Sequence, residues 1–365
     1  MAKNNKIFIY VIISIWVIVG IVALILLRGT PEESPNLSQA NQSQKNTNTG
    51  SSVEADWENV GEIQGEMQTL VFDSSDGNIA YLSTDGQGIY RSHDGGLNWE
   101  LLGPSGKTFL DLSIDVKSGR IYASEIRDGV VFSDDNGVSW EISSLQRGEA
   151  HVAQVDPRDP KVVWAGYWLR GNTGPSLYLS KDGGKSWVPT VGGPQGKEID
   201  FVKFDEESKD TYVGTYSGGL FKTTDDGESW KSLNSGLNTN TDITIMKWTK
   251  DKSVFYVGTH DFGTFRSTDK GQSWQPINTG KESATDVHGL VVDPNDPKTV
   301  YVAGMMMGKG IFKSTDMGDT WKPIQAEGVN LDDVHVFELN PEQTHIYLGS
   351  GEHGEGKGIL YRLKI

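Results

Sequence analysis

Cysteine is absent from the 365 residues. That excludes disulfides, thiolate metal sites and lipid attachment through a cysteine, and leaves packing alone to hold any core. Basic residues are scarce: 33 Lys and Arg stand against 49 Asp and Glu, a formal net charge of −16. So acidic a chain is a poor partner for nucleic acid, whose phosphates require a basic footprint. Glycine, with 44 residues, and aromatics are plentiful, as expected of many short strands joined by tight turns.

One long apolar run stands out. Residues 7–27, IFIYVIISIWVIVGIVALILL, carry no charged side chain, and twenty-one helical residues at about 1.5 Å each match a hydrocarbon core of about 30 Å. A cleavable signal would have a shorter apolar region and an A-x-A-like exit, and neither is present. Lys3 and Lys6 precede the run, whereas Glu32 and Glu33 follow Arg28. The positive-inside rule therefore predicts residues 1–6 as a cytoplasmic tail, 7–27 as a single-pass membrane helix, and the remainder outside the cytoplasm. Residues 28–55 are polar with few large apolar groups and read as a flexible tether reaching about 30 Å. Removing Lys3, Lys6 and Arg28 leaves 30 basic against 49 acidic residues, so the exported part carries −19.

The rest of the chain repeats. SHDGGLNW (92–99), SDDNGVSW (133–140), SKDGGKSW (180–187), TTDDGESW (223–230), STDKGQSW (267–274) and STDMGDTW (314–321) begin 41, 47, 43, 44 and 47 residues apart. That period suits a propeller blade of four strands. Within one unit, VHGLVV (287–292) reads as the first strand, TVYVAG the second, GIFKS the third and WKPI the fourth, with the box as the turn between the last two. Six boxes are present, but seven first strands. VHVFELN (334–340), HIYLGSG (345–351) and GILYRLKI (358–365) lack a fourth strand, which Trp57-Glu58-Asn59-Val60 can supply. The sequence thus predicts an all-β, single seven-bladed propeller over 56–365, closed by an N-terminal strand that hides both sheet edges.

The box chemistry fits a hairpin clasp. Asp94, Asp135, Asp182, Asp225, Asp269 and Asp316 can accept backbone N–H groups of their own turns. The glycine two residues on supplies a positive φ. Trp99, Trp140, Trp187, Trp230, Trp274 and Trp321 offer apolar faces for packing between blades, each with an N–H needing a partner. The acidic run DDNG at 134–137 also has calcium-type residues, but no bidentate Glu follows at loop position twelve. A unit repeated six times reads as masonry, since a catalytic site is normally single.

This S/T-x-D-x-G-x-x-W pattern resembles the Asp-box, or BNR repeat, and its copies cover roughly residues 57–365. The resemblance implies a β-propeller whose boxes lie at the periphery, away from the active face. It implies no single activity, because the group spans sialidases, xyloglucanase-type glycoside hydrolases, sortilin-type receptors and photosystem II stability/assembly factors. The Phe/Tyr-Arg-Ile-Pro motif of sialidases is missing, and their rings have six blades. Arg127, Arg147 and Arg170 are basic residues over blades two and three, without the motif of the sialidase triad. Xyloglucanase-type enzymes use a cleft between two seven-bladed propellers, and the repeats here make one. A single ring looks most like the assembly factors, without a basic partner-binding patch.

Function is then expected on the face opposite the boxes. Its loops hold Glu62, Glu66, Glu149, Glu198, Asp242, Glu282, Asp286, Glu327, Asp332 and Asp333 against Lys107, Arg147, Lys197 and Lys281, so the mouth repels carboxylate ligands and favours cations or basic partners. Aligned first strands place Gln68, Leu110, His151, Asp200, Thr244, His288 and His335 at the channel entrance, with apolar positions two and four residues further on lining the ring. His260, Glu352 and His353 lie in second-to-third loops on the same face. Hydrogen-bonded rim residues around funnel water are one reading; a zinc-type cation or ligand site is the other. No cofactor is expected. Asp200, Glu125, Asp261 and Glu352 are available as a glycosidase carboxyl pair, and Tyr167, Trp168, Tyr216 and Phe262 as sugar-stacking aromatics. The two functional expectations are a membrane-anchored binding or assembly module for an extracellular protein or glycan, and a glycoside hydrolase or lyase.

Overall fold

The computed structural model describes residues 52–145, 149–169, 174–194, 197–238, 240–277, 286–305, 310–331, 334–351 and 356–365. Within them, strands form seven four-stranded antiparallel sheets. Blades one to six run Glu66–Gly103, Phe109–Ile142, Ala150–Pro189, Ile199–Ser232, Ile243–Pro276 and Asp286–Pro323, each pairing its strands in chain order. Blade seven is built from Val334–Leu339, His345–Gly351 and Lys357–Lys364, and its fourth strand is Trp57–Gln64. The closing strand is longer than WENV: it pairs from Trp57↔Leu363 to Gln64↔Lys357, with a bulge between Asn59 and Gly61. Arg362–Glu58 and Lys357–Glu62 ion pairs, both 2.6 Å, lie along it. Val53, placed in the tether by sequence, bridges in parallel to Ile324 after the outer strand of blade six. Among the described residues no helix is long and apolar enough to cross a membrane, and the expected span 7–27 lies outside them.

Apolar residues from neighbouring blades fill the seams, as the alternation of strand side chains requires. Ile63, Leu360 and Tyr347 of blade seven, for example, cluster with Met67, Leu70 and Leu82 of blade one. The box Trp side chains sit in these seams, each against its own blade and the one before. Blade seven has no box, and there Trp57 packs into the seam with blade six instead. That is why a tryptophan begins the closing strand.

The boxes share one bonding scheme. In the second, Ser133 Oγ donates to Asp135 Oδ1 and accepts from Gly137 N, both at 2.8 Å. Asp135 Oδ1 accepts from Ser139 N at 2.8 Å and Oδ2 from Ser139 Oγ at 2.6 Å. The Trp140 indole donates to Gly137 O at 3.0 Å, and Gly137 stands at φ 86°. The last two indoles instead donate across the seam, Trp274 to Leu233 O and Trp321 to Ile277 O. Hydrogen bonds led by the Ser139 hydroxyl hold the Asp135 carboxyl down at about 2; Asp182, Asp225 and Asp269 follow suit. With Asp135 committed to its own turn and Asp134 taken by Arg120 Nη2 at 2.6 Å, the DDNG carboxylates are spent on structure rather than calcium.

Box turns lie beside the first-to-second turns, as Gly95 N→Asn78 O and Met317 N→Lys298 O show. At the other end, the second-to-third turns bond to the strand-entry loops: Trp168 N→Glu149 O, Tyr216 N→Glu198 O and His260 N→Asp242 O. The two ends of each blade are therefore assembled from different loops.

Candidate functional site

The seven residues aligned at the channel entrance share a backbone feature that sequence did not reveal. Each innermost strand breaks register once, and the extra residue is Gln68, Leu110, His151, Asp200, Thr244, His288 or His335. A bulge inserts one residue and re-aims its side chain. All seven are half-buried. The freed backbone groups are taken up by neighbours, as where Thr69 Oγ1 donates to Leu110 O at 2.9 Å.

The bulges also correct the expected lining. The apolar residues two positions on, such as Leu70, Val202, Met246 and Phe337, are buried in the seams, because the extra residue shifts the two-residue alternation. Charges reach further into the ring instead. Lys247 Nζ of blade five contacts both carboxylate oxygens of Glu338 of blade seven, at 2.7 and 2.8 Å, past blade six. Beside it, burial and then Lys247 push the Lys203 ammonium down to about 8, with the Trp248 ring 5.0 Å away.

Two groupings occupy the rim. On blades three and four, the His151 ring stacks on Trp168 at 4.2 Å and 6°, with Nε2 3.3 Å from Glu149, and Tyr216 lies 5.8 Å from Trp168. Tyr216 is 42% exposed. Asp242 first, then burial and Glu198, push its hydroxyl above the ordinary value. Asp200 sits among these acids; burial, then Asp242 and Glu198, raise its carboxyl well above the usual range. Its Oδ2 is sealed from solvent and has no hydrogen-bond partner among the described residues.

The second grouping spans blades five to one. His260 and His288 meet edge to face at 5.9 Å, and His288 and His335 at 6.0 Å. His335 Nε2 is 3.4 Å from Glu66. Asp286, only 3% exposed, brings Oδ1 to 2.8 Å from His288 Nε2. The separation is that of a hydrogen bond, but the atoms are not aligned for one, and both Asp286 oxygens and His288 Nε2 are buried without a hydrogen-bond partner among the described residues. Asp261 Oδ1 lies 3.3 Å from His260 Nδ1.

Several sequence candidates fall elsewhere. Tyr167 is core, 1% exposed, its hydroxyl donating to Leu145 O. Glu125 is buried and accepts from Arg127 N and Asp128 N, holding its own turn. Phe262 is exposed on the rim at 38%. Glu352, His353, Arg147 and Arg170 lie outside the described residues, as do Glu282, Asp332 and Asp333. Asp286 was legible only as one acid among many; its burial against two histidines gave no signal in the sequence.

The sequence profile of the Sortilin-Vps10 family (Sortilin, neurotensin receptor 3) matches residues 262–360. An oligoxyloglucan-reducing end-specific xyloglucanase of Emericella nidulans is 25% identical over 198 residues, 46% of this chain and 24% of that protein. The chain thus spans about a quarter of the length of the curated relatives it matches. Among solved structures, the GH74 xyloglucanase of Xanthomonas campestris superposes with a TM-score of 0.65 at 19% identity, over 80% of this chain and 52% of the enzyme. YCF48 bound to D1 peptide gives 0.60 at 19%, over 86% of this chain and all of that one. Six boxes at blade spacing, seven blades and these relatives together identify the chain as an Asp-box (BNR-repeat) β-propeller.

Proposed function

We propose that this protein is a membrane-tethered binding or assembly module that displays its propeller outside the cytoplasm and takes a protein or glycan ligand on the rim opposite the boxes. The observation that carries the reading is the sevenfold bulge. A scaffold that repeats one backbone device but varies the side chain it carries, five residue types over seven copies, is built for recognition, and four of the seven are His151, Asp200, His288 and His335. Charge selects the ligand: an acidic mouth favours basic segments and disfavours carboxylates. The solved YCF48 complex, with a peptide on a ring of the same fold, supports a peptide partner. Residues 7–27 supply the tether. Cross-linking from the rim of the full-length chain, with Tyr216→Ala as comparison, tests this: one membrane or envelope partner captured by the native chain and lost in the variant is expected. Equal capture by both refutes the rim as the binding face.

A second reading, glycoside hydrolysis, is favoured by one observation. Burial, then the carboxylates Asp242 and Glu198, push the Asp200 carboxyl well above the usual range, the pattern of an acid paired with a base. Turnover in a glycan-substrate screen that disappears in Asp200→Asn supports it; no turnover on any glycan removes it.

A further inference from the structure

We propose that His260, His288 and Asp286 form a binding site for a divalent transition-metal ion of the zinc class, set at the channel mouth between blades five and six. Their donor atoms all lie within 4.8 Å of one another, and ligands about 2.0–2.2 Å from a shared ion stand up to ~4.4 Å apart. Small rotamer adjustments therefore suffice. Two imidazoles and one carboxylate are a borderline donor set suited to zinc, cobalt or nickel, and unsuited to calcium or magnesium, which prefer all-oxygen shells.

The independent observation is the state of Asp286. It is 97% buried by the complement of its 3% exposure, yet neither oxygen has a hydrogen-bond partner among the described residues. A carboxyl group buried without a hydrogen bond is costly unless something compensates it. His288 Nε2 faces it at 2.8 Å, unaligned for a hydrogen bond, and likewise has no hydrogen-bond partner among the described residues. A cation held among these two groups and His260 would satisfy both. Asp261 lies against His260 Nδ1 at 3.3 Å, the carboxylate–imidazole contact that orients metal-bound histidines.

Around the trio, Asp242 and Asp261 form a second set with His260. Asp242 accepts from the backbone N–H and hydroxyl of Ser217, so it adds negative charge near the ion while staying fixed. Three protein ligands leave a coordination position open. At a mouth predicted to bind partners, that position suits a histidine from the ligand, although the ion site stands without that reading.

The test uses the full-length chain purified in detergent and stripped with a chelator. Zn2+ binding is followed by calorimetry and Co2+ binding by its visible d–d bands. One equivalent of either ion is expected. His288→Ala, His260→Ala and the near-isosteric Asp286→Asn should each weaken affinity by at least about tenfold, since even outer-shell changes cost ~10–100-fold. His93→Ala, on a box turn, should bind as the native chain does. Circular dichroism checks that each variant is folded. The proposal is overturned if the folded native chain binds neither ion, or if His288→Ala and His260→Ala bind unchanged. A rim that fails to capture a partner would leave this result untouched.

Discussion

Replacing Ile63 by alanine should loosen the ring at its one non-sequential seam. Ile63 is 2% exposed and packs with Met67, Leu70, Leu82, Val336, Tyr347 and Leu360. It therefore joins the closing strand both to its own blade and to blade one. Deleting such a side chain costs about 2–5 kcal/mol, transfer and cavity terms together. For a domain of roughly three hundred residues, each kcal/mol lowers the melting temperature by about 2 °C, so a drop of about 4–10 °C is expected. The mutation also weakens the cover over the Lys357–Lys364 edge, and an uncovered edge invites pairing with another copy. Differential scanning fluorimetry of the full chain measures the first effect, and light scattering against concentration the second. Glu58→Gln, which removes an exposed ion pair with Arg362, is the control and should shift melting by less than about 2 °C. An Ile63→Ala protein that melts with the native one would refute the view that this strand locks the ring.

The box aspartates make a distinct prediction in acid. Hydrogen bonds hold the Asp135 and Asp182 carboxyls down at about 2 against 3.8 when unfolded, so they favour folding above pH ~4, and that contribution disappears as pH falls from ~4 to ~2. Asp135→Asn/Asp182→Asn should be less stable at pH 7 and show a shallower loss over that window, read from melting temperature against pH. Asp200 has the opposite sign. Its folded value is raised, so ionising it disfavours folding as pH rises above ~3.8, and Asp200→Asn should melt higher than native at pH 8 but equal to it at pH 3.5; equal shifts at both values contradict the burial argument. Because the native chain has no cysteine, Ser75→Cys on an exposed turn reports topology: labelling of intact cells by an impermeant maleimide is expected, and labelling only after lysis would place the propeller inside.

How much of this was legible in the sequence depended on what each residue answers to. The boxes were readable because every part of their job is local: Asp135 bonds within its own eight residues, and the period exposes the blade. Closure was readable by counting, and Trp57 could be matched to Trp99 by its place before a fourth strand. The bulges could not be read, because a register break depends on the partner strand. Aligning the seven strands found the right positions, but the same alignment placed the next apolar residues in the channel when they fill the seams. Lys247 and Glu338 meet across the ring from strands 91 residues apart, a contact that no local pattern encodes. Asp286 and Glu125 are both acids on loops in the sequence. Backbone N–H groups satisfy Glu125, whereas Asp286 faces histidines, and only the folded neighbours separate them.

The division between the two ends of the blade has a physical consequence for the rim. The box end spends its polar groups on itself: serine, aspartate, glycine and indole close a circuit within each turn, or to the carbonyl of the preceding blade. The rim end is held differently, by backbone bonds such as His260 N→Asp242 O and Tyr216 N→Glu198 O. Those bonds use no side chain, although some side chains of the rim turns are spent locally, Glu125 on its own turn and Asp242 on Ser217. Asp242 shows the result: its backbone carbonyl ties down the His260 turn, and its carboxylate raises Asp200 and Tyr216. An incoming carboxylate ligand would add to the negative field that, together with burial, raises the Asp200 carboxyl. A cation would relieve it. The electrostatics of the rim therefore argue for a positively charged ligand on the same grounds that the geometry of Asp286 argues for a metal ion.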